Sequence, residues 1–213
     1  MDTLIDNYDL ILSGFGQTIQ LLLASGLLAL VVGTLVAIAR VAPVPILRAV
    51  GSGYVVLFRN TPLLILILIT FYGLPEIGID FGLFWNIVLA MGLYTASFVS
   101  EALRSGVNGI PIGQAEAARS IGMPFGTTMT QVVLPQAFRL TVPPMASAFI
   151  ALVKNTSLAA AFGTADATFR LRGLYNANPA DLWWIFGGIA LGYVVIVEVL
   201  SFGASRLEKR WAA

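Results

Sequence analysis

The chain has no histidine and no cysteine among its 213 residues, and only 11% of them are charged. Without histidine there is no Ser-His-Asp or Cys-His catalysis and no imidazole to hold zinc or haem. Without cysteine there are no disulfides, thiolate metal sites or iron–sulfur clusters. Lysine is scarce too. Val153 precedes Lys154 and Glu208 precedes Lys209, so no Gly-Lys phosphate-binding loop exists. No residue is a candidate for catalysis or for a metal, and the chain is expected to hold no cofactor of its own. Twelve basic against eleven acidic residues leave no basic face for nucleic acid. A soluble domain carries about 25% charged residues. This surface is therefore expected to meet lipid.

What is present fits that expectation. Hydrophobic residues make up 58% of the chain, and its mean hydropathy is +0.87. At about 20 residues per crossing, the apolar runs place five spans near 14–39, 53–73, 83–103, 142–163 and 183–204. They predict one all-α integral membrane domain over 1–213, with a long connection at 104–141. Basic residues set its orientation. Arg40, Arg48, Arg104, Arg119, Arg139, Arg206, Lys209 and Arg210 follow spans one, three and five, whereas the other side has only Arg170 and Arg172. The N-terminus is expected outside, and the C-terminus and the 104–141 segment in the cytoplasm.

That segment reads RSGVNGIPIGQAEAARSIGMPFGTTMTQVVLPQAFRLT. Pro111 can start a helix, Gln114 to Ile121 favours one, and Gly122 followed by Pro124 ends it. A second short helix is expected between Pro124 and Pro135. Two short polar helices with little cover of their own suggest docking onto another protein.

The spaced pattern EAARSIGMPFGTTMTQVVLP over 116–135 resembles the cytoplasmic loop of permease subunits of ABC importers. RNTPLL at 59–64, YTASFVSEALRSGVNGIPIGQAEAARSIG at 94–122 and ALVKNTSLAA at 151–160 are similar to the polar amino-acid branch of that family. With RVAPVPILR at 40–48, they look most like its actinobacterial glutamate type. The resemblance implies the ABC-importer permease fold: five membrane helices and a cytoplasmic coupling helix, in a bacterial cell membrane. It places Glu116, Ala117, Ala118, Arg119 and Gly122 in the coupling helix. It further implies two ATPase subunits that bind ATP and Mg, a second permease subunit (identical or homologous), an external substrate-binding protein and an amino-acid substrate. Glutamate is the preferred substrate.

Charges at membrane depth cost about 2.5–3.5 kcal/mol on insertion scales and each needs a reason. Lys154, with Asn155, Thr156 and Ser157, forms a polar belt in span four. Lys154 can hold a substrate carboxylate or pair with Glu198 of span five. Arg59, just before Asn60-Thr61-Pro62, can line the path or reach lipid phosphates. Glu101 and Arg104, three apart on one helix face, read as a structural pair. Arg170 and Arg172 can meet an external partner or sit on a solvated loop. A competing reading is an ion-gradient secondary transporter with Lys154 and Glu198 as a charge relay, although no internal repeat stands out.

Overall fold

The computed structural model describes residues 2–212, which form helices joined by short turns, with no strand among them. In chain order these are α1 (Asp2–Asp6), α2 (Tyr8–Val41), α3 (Pro45–Asn60), α4 (Leu63–Glu76), α5 (Leu83–Asn108), α6 (Ile112–Ser120), α7 (Phe125–Phe162), α8 (Ala167–Ala177) and α9 (Leu182–Ala212). Four of them, α2, α5, α7 and α9, are long and apolar enough to cross a membrane. The bent pair α3–α4 supplies a fifth if counted as one span.

The central pairing is α2 on α5, and small residues bring it about. Gly26, Ala29, Gly33 and Ala37 recur three or four residues apart on the buried face of α2, opposite Gly92 and Ala96 of α5. A Cβ at Gly33 would lie 2.6 Å from Val99 Cβ, and one at Gly92 would lie 2.5 Å from a Leu28 methyl. Lipid tails are as apolar as leucine, so helices associate through such close packing instead of through exclusion of water. At the other side of α5, a Cβ at Gly106 would meet Thr141 of α7 at 2.0 Å. The remaining core joins Leu21, Ile67, Ile87, Met91, Leu152 and Val153 from four helices.

The second span, expected over 53–73 with Pro62 interrupting it, starts earlier, at Pro45, and breaks at that proline. It turns by 101° between α3 and α4. Thr61 is extended (φ −93°, ψ 127°) because the following Pro62 disfavours helical geometry there, and Pro62 then starts α4 through its carbonyl. The second short helix expected to stop before Pro135 is also corrected: α7 runs unbroken from Phe125 to Phe162. A wide π-helical stretch over Thr128–Val133 absorbs the proline, with the Leu134 N–H reaching back five residues to Met129. The same device precedes Pro75, where Ile69–Gly73 is π-helical and the Leu74 N–H bonds Ile69. In both places a Leu-Pro step follows a π turn, which relieves the ring's clash with the preceding turn.

The expected external loop at 164–183 is largely helix. Asp166 caps α8 by accepting from the Phe169 N–H at 2.9 Å. The Ala167 N–H donates to Thr18 Oγ1 at 3.2 Å, and the Arg170 side chain lies across Gly14. The segment is therefore folded onto α2 and is no free solvated loop.

Candidate translocation cavity and coupling helix

A cavity of about 620 Å³ opens between α3, α5 and α7, lined among others by Arg59, Tyr94, Phe98, Glu101, Ser147 and Asn155. Arg59 enters it from the last turn of α3, beside the elbow. Its guanidinium stacks 5.1 Å above the Phe98 ring and stands 3.9 Å from Glu101. Glu101 is held more firmly by two other arginines, with Arg40 Nη1 at 2.7 Å and Arg104 Nη2 at 2.9 Å. Three guanidinium groups thus surround one carboxylate in a cluster of net charge +2, of which Arg59 and Glu101 line the cavity. Arg40 is nearly buried, and its Nε has no hydrogen-bond partner.

The pair Glu101–Arg104 expected from spacing is formed, and Arg40 joins it from α2. No local signal announces Arg40, because 61 residues separate it from Glu101. Arg59 thus lines the cavity from the elbow.

The polar belt of span four is split. Asn155 faces the cavity with Arg59. Thr156 is fully buried, and its hydroxyl donates to the Val153 carbonyl at 2.6 Å. Lys154 and Ser157 turn to a separate cleft of about 320 Å³ shared with Thr168 and Tyr193. Successive residues of a helix lie about 100° apart, which puts Lys154 and Asn155 on different faces before the chain tightens to 3₁₀ geometry from Thr156 to Phe162. Among the described residues no ion pair joins Lys154 to Glu198, and both are exposed. Lys154 sits against the Phe186–Tyr193 stretch of α9, and Glu198 lies more than a turn further along that helix. The structural pair offered for them is not formed.

Near that cleft lies an unannounced cluster. Asp166 is fully buried, and Tyr193 donates to its Oδ2 at 3.4 Å while sharing a 3.0 Å contact with Thr168 Oγ1. Burial raises the Asp166 carboxyl to about 6, against the opposing pull of the Phe169 N–H and Tyr193 hydroxyl.

The loop helix α6 begins after Pro111 and ends in a Schellman turn. The Met123 N–H bonds the Ala118 carbonyl, the Gly122 N–H bonds the Arg119 carbonyl, and Gly122 takes φ +85°. Glu116, Ala117 and Arg119 are exposed, whereas Ala118 is buried against its own chain. Three apolar side chains flank the helix in the open: Ile112 at 77%, Ile121 at 80% and Phe125 at 74% exposure. The sequence reading passed over these three. Their signal was apolar residues bracketing a helix too polar for the membrane.

A helical membrane bundle with a charged inner cavity and a protruding loop helix defines a transport permease. The chain belongs to the family described as binding-protein-dependent transport system inner membrane component, whose model matches residues 11–212. It is 35% identical to the glutamate transport system permease protein GluC of Corynebacterium glutamicum, over 95% of this chain and 94% of that one. It is 37% identical to the probable glutamine ABC transporter permease protein GlnP of Bacillus subtilis, over 92% and 91% of the two chains. Among solved structures, a crystal structure of an amino acid ABC transporter with histidines superposes with a TM-score of 0.89 at 27% identity, covering 97% of this chain and 96% of that one.

Proposed function

We propose that this chain is the membrane-spanning subunit of an ATP-driven importer for a polar amino acid, an acidic one, with glutamate first. The observation that carries the reading is the cavity corner in which Arg40, Arg59 and Arg104 face a single carboxylate, Glu101. A surplus of positive charge beside the cavity favours an anion in transit. Arg59 is the least firmly held of the three and is free to offer its guanidinium to a substrate carboxylate, with Asn155 across the cavity as a hydrogen-bonding group. Similarity to GluC agrees with glutamate, and similarity to GlnP marks the rival substrate.

Fuel comes from elsewhere. Two ATPase subunits hold ATP and Mg, and α6 docks onto them through Glu116, Ala117 and Arg119, with Ile112, Ile121 and Phe125 as its apolar flank. Closure of the ATPases pushes α6, and the displacement tilts α5 and α7 so that the cavity changes its open side. A second permease subunit completes the path, and an external binding protein delivers substrate to the face opposite α6. The N-terminus lies outside and the C-terminus in the cytoplasm. The ion-gradient relay gains no support from Lys154 and Glu198, which form no ion pair among the described residues.

The deciding experiment is ATP-dependent uptake of labelled glutamate by the reconstituted assembly, with Asp, Gln, Arg and His as competitors. Aspartate is expected to compete strongly and arginine not at all. Stronger competition by arginine than by aspartate defeats the acidic-substrate reading, and uptake without ATP defeats the importer reading.

A further inference from the structure

Within α7 a soft stretch separates two firm attachments. On the loop side, the buried Thr128 ties the helix to the turn that ends α6: its hydroxyl donates to the Met123 carbonyl at 3.4 Å, and its N–H donates to the Pro124 carbonyl at 2.9 Å. On the membrane side, Ala137 and Thr141 are buried against α5, where a Cβ added at Gly106 would lie 2.7 Å from the Ala137 carbonyl. Between tie and clamp runs the π-helical turn Thr128–Val133, followed by Leu134 and Pro135. Thr130, Gln131, Leu134 and Pro135 are exposed, so no packed neighbour holds that face in one geometry.

Two hydrogen-bond registers are open to this turn, and Pro135 brings them into balance. An ordinary chain prefers α geometry, and π turns are rare. Proline opposes that preference: in the α register its ring meets the carbonyl four residues back, Gln131, which lowers that register's population about 100-fold. The two tendencies offset each other. Hydrogen bonding does not break the tie. The Leu134 N–H donates to Met129 in the π register, as found, and to Thr130 in the α register. Pro135 has no N–H to give, so Thr130 lacks its main-chain donor in the first register and Gln131 in the second. Each register leaves one carbonyl short.

We propose that Thr128–Val133 is a two-register joint, which passes between π and α hydrogen bonding during the transport cycle. The change lets α6 move against the α5–α7 clamp without breaking the helix. It is worth up to one residue of helix, about 100° of turn and 1.5 Å of rise. A rigid α7 would hand the whole displacement to the clamp, where the fit of Gly106 against Ala137 and Thr141 leaves no room for it. With the joint, α5 and α7 tilt together while the loop helix keeps its seat on the ATPases. The joint rests on the reading that the ATPases push α6.

Pro135→Ala removes the ring and keeps the helix. It is expected to favour the α register about 100-fold, to leave membrane insertion and assembly with the ATPases unchanged, and to lower ATP-driven uptake by a similar factor while hydrolysis continues. The direct readout is the distance between spin labels at Asn108→Cys on α5 and Gly126→Cys on α7, both exposed positions in a chain with no cysteine of its own. It is measured by pulsed electron spin resonance in the complete assembly, with labelled permease diluted by unlabelled. With Pro135 in place, the distance is expected to change between the nucleotide-free and ATP-bound assemblies by up to about 8 Å, the chord of a 100° turn at a side-chain radius of about 5 Å. In Pro135→Ala it is expected to keep one value in both. Equal shifts with and without Pro135, or full uptake by Pro135→Ala, overturns the joint. No shift in either protein also overturns it, yet leaves the importer reading standing when uptake still requires ATP; uptake without ATP brings down that reading instead.

Discussion

Replacing Glu101 by glutamine tests whether the cavity's charge cluster is a connected unit. The change keeps shape and removes the only negative charge that, among the described residues, faces Arg40, Arg59 and Arg104. Arg40 suffers most, since its side chain is 9% exposed and cannot turn to water. Hydrogen bonds to charged groups contribute about 1.5–3 kcal/mol, but Glu101 is 30% exposed and solvent screens part of that. The expected loss is about 2 kcal/mol, a factor of about 30 in the unfolding equilibrium. Unfolding in mixed micelles of rising SDS content, followed by tryptophan fluorescence, measures it. Arg40→Gln alone leaves Glu101 still held by Arg104 and is expected to cost less than Glu101→Gln. The double variant is expected to be more stable than the sum of the single losses predicts, by about 1–2 kcal/mol. Strict additivity of the two changes would refute the cluster.

Three further outcomes follow from the geometry. Gly122→Asp strains a φ of +85° and adds charge at the Schellman turn without a clash, so ATPase activity is expected to uncouple from uptake in vesicles while membrane insertion is unchanged; normal transport by this variant removes α6 from the coupling role. Gly106→Ala drives a methyl to 2.7 Å from the Ala137 carbonyl as well as onto Thr141, and is expected to cost about 1–3 kcal/mol, whereas Gly53→Ala, with nothing near its Cβ, is expected to be neutral or better in the same micelle assay. Asp166 binds its proton more tightly folded than unfolded, since burial raises it from 3.8 to about 6. The folded state then holds more protons between pH 4 and 6, stability falls as pH rises through that window, and thermal scans of Asp166→Asn are expected to lack this slope.

The crossings were legible because a charge-free run has one physical meaning at this composition. The elbow and the unbroken α7 were harder. Pro62 and Pro135 read alike as helix breakers, yet the first bends the chain by 101° and the second is absorbed by a π turn that leaves no mark in residue type. The site divides along the same line. Glu101 and Arg104 lie three residues apart on one helix, so spacing sufficed. Arg40 reaches Glu101 only because the small faces of α2 and α5 bring their backbones close. For Lys154 and Glu198, hydropathy fixed an approximate depth but not the angle around the helix, and that angle separates them. Ala118 was grouped with its exposed neighbours for the same reason.

The elbow has an electrical consequence. The limb after it, Leu63–Glu76, is about 21 Å long, shorter than the insulating slab it stands in. The cavity at its foot runs from Ser105 and Pro144 to Asn155. Water entering it from the α6 side carries that compartment's voltage inward, so the field is compressed into the thinner layer beyond. Moving one charge through the full potential costs about 2.3 kcal/mol per 100 mV. On the proposed reading, an acidic amino acid carried inward against a negative interior meets nearly all of that opposition before it reaches Arg59.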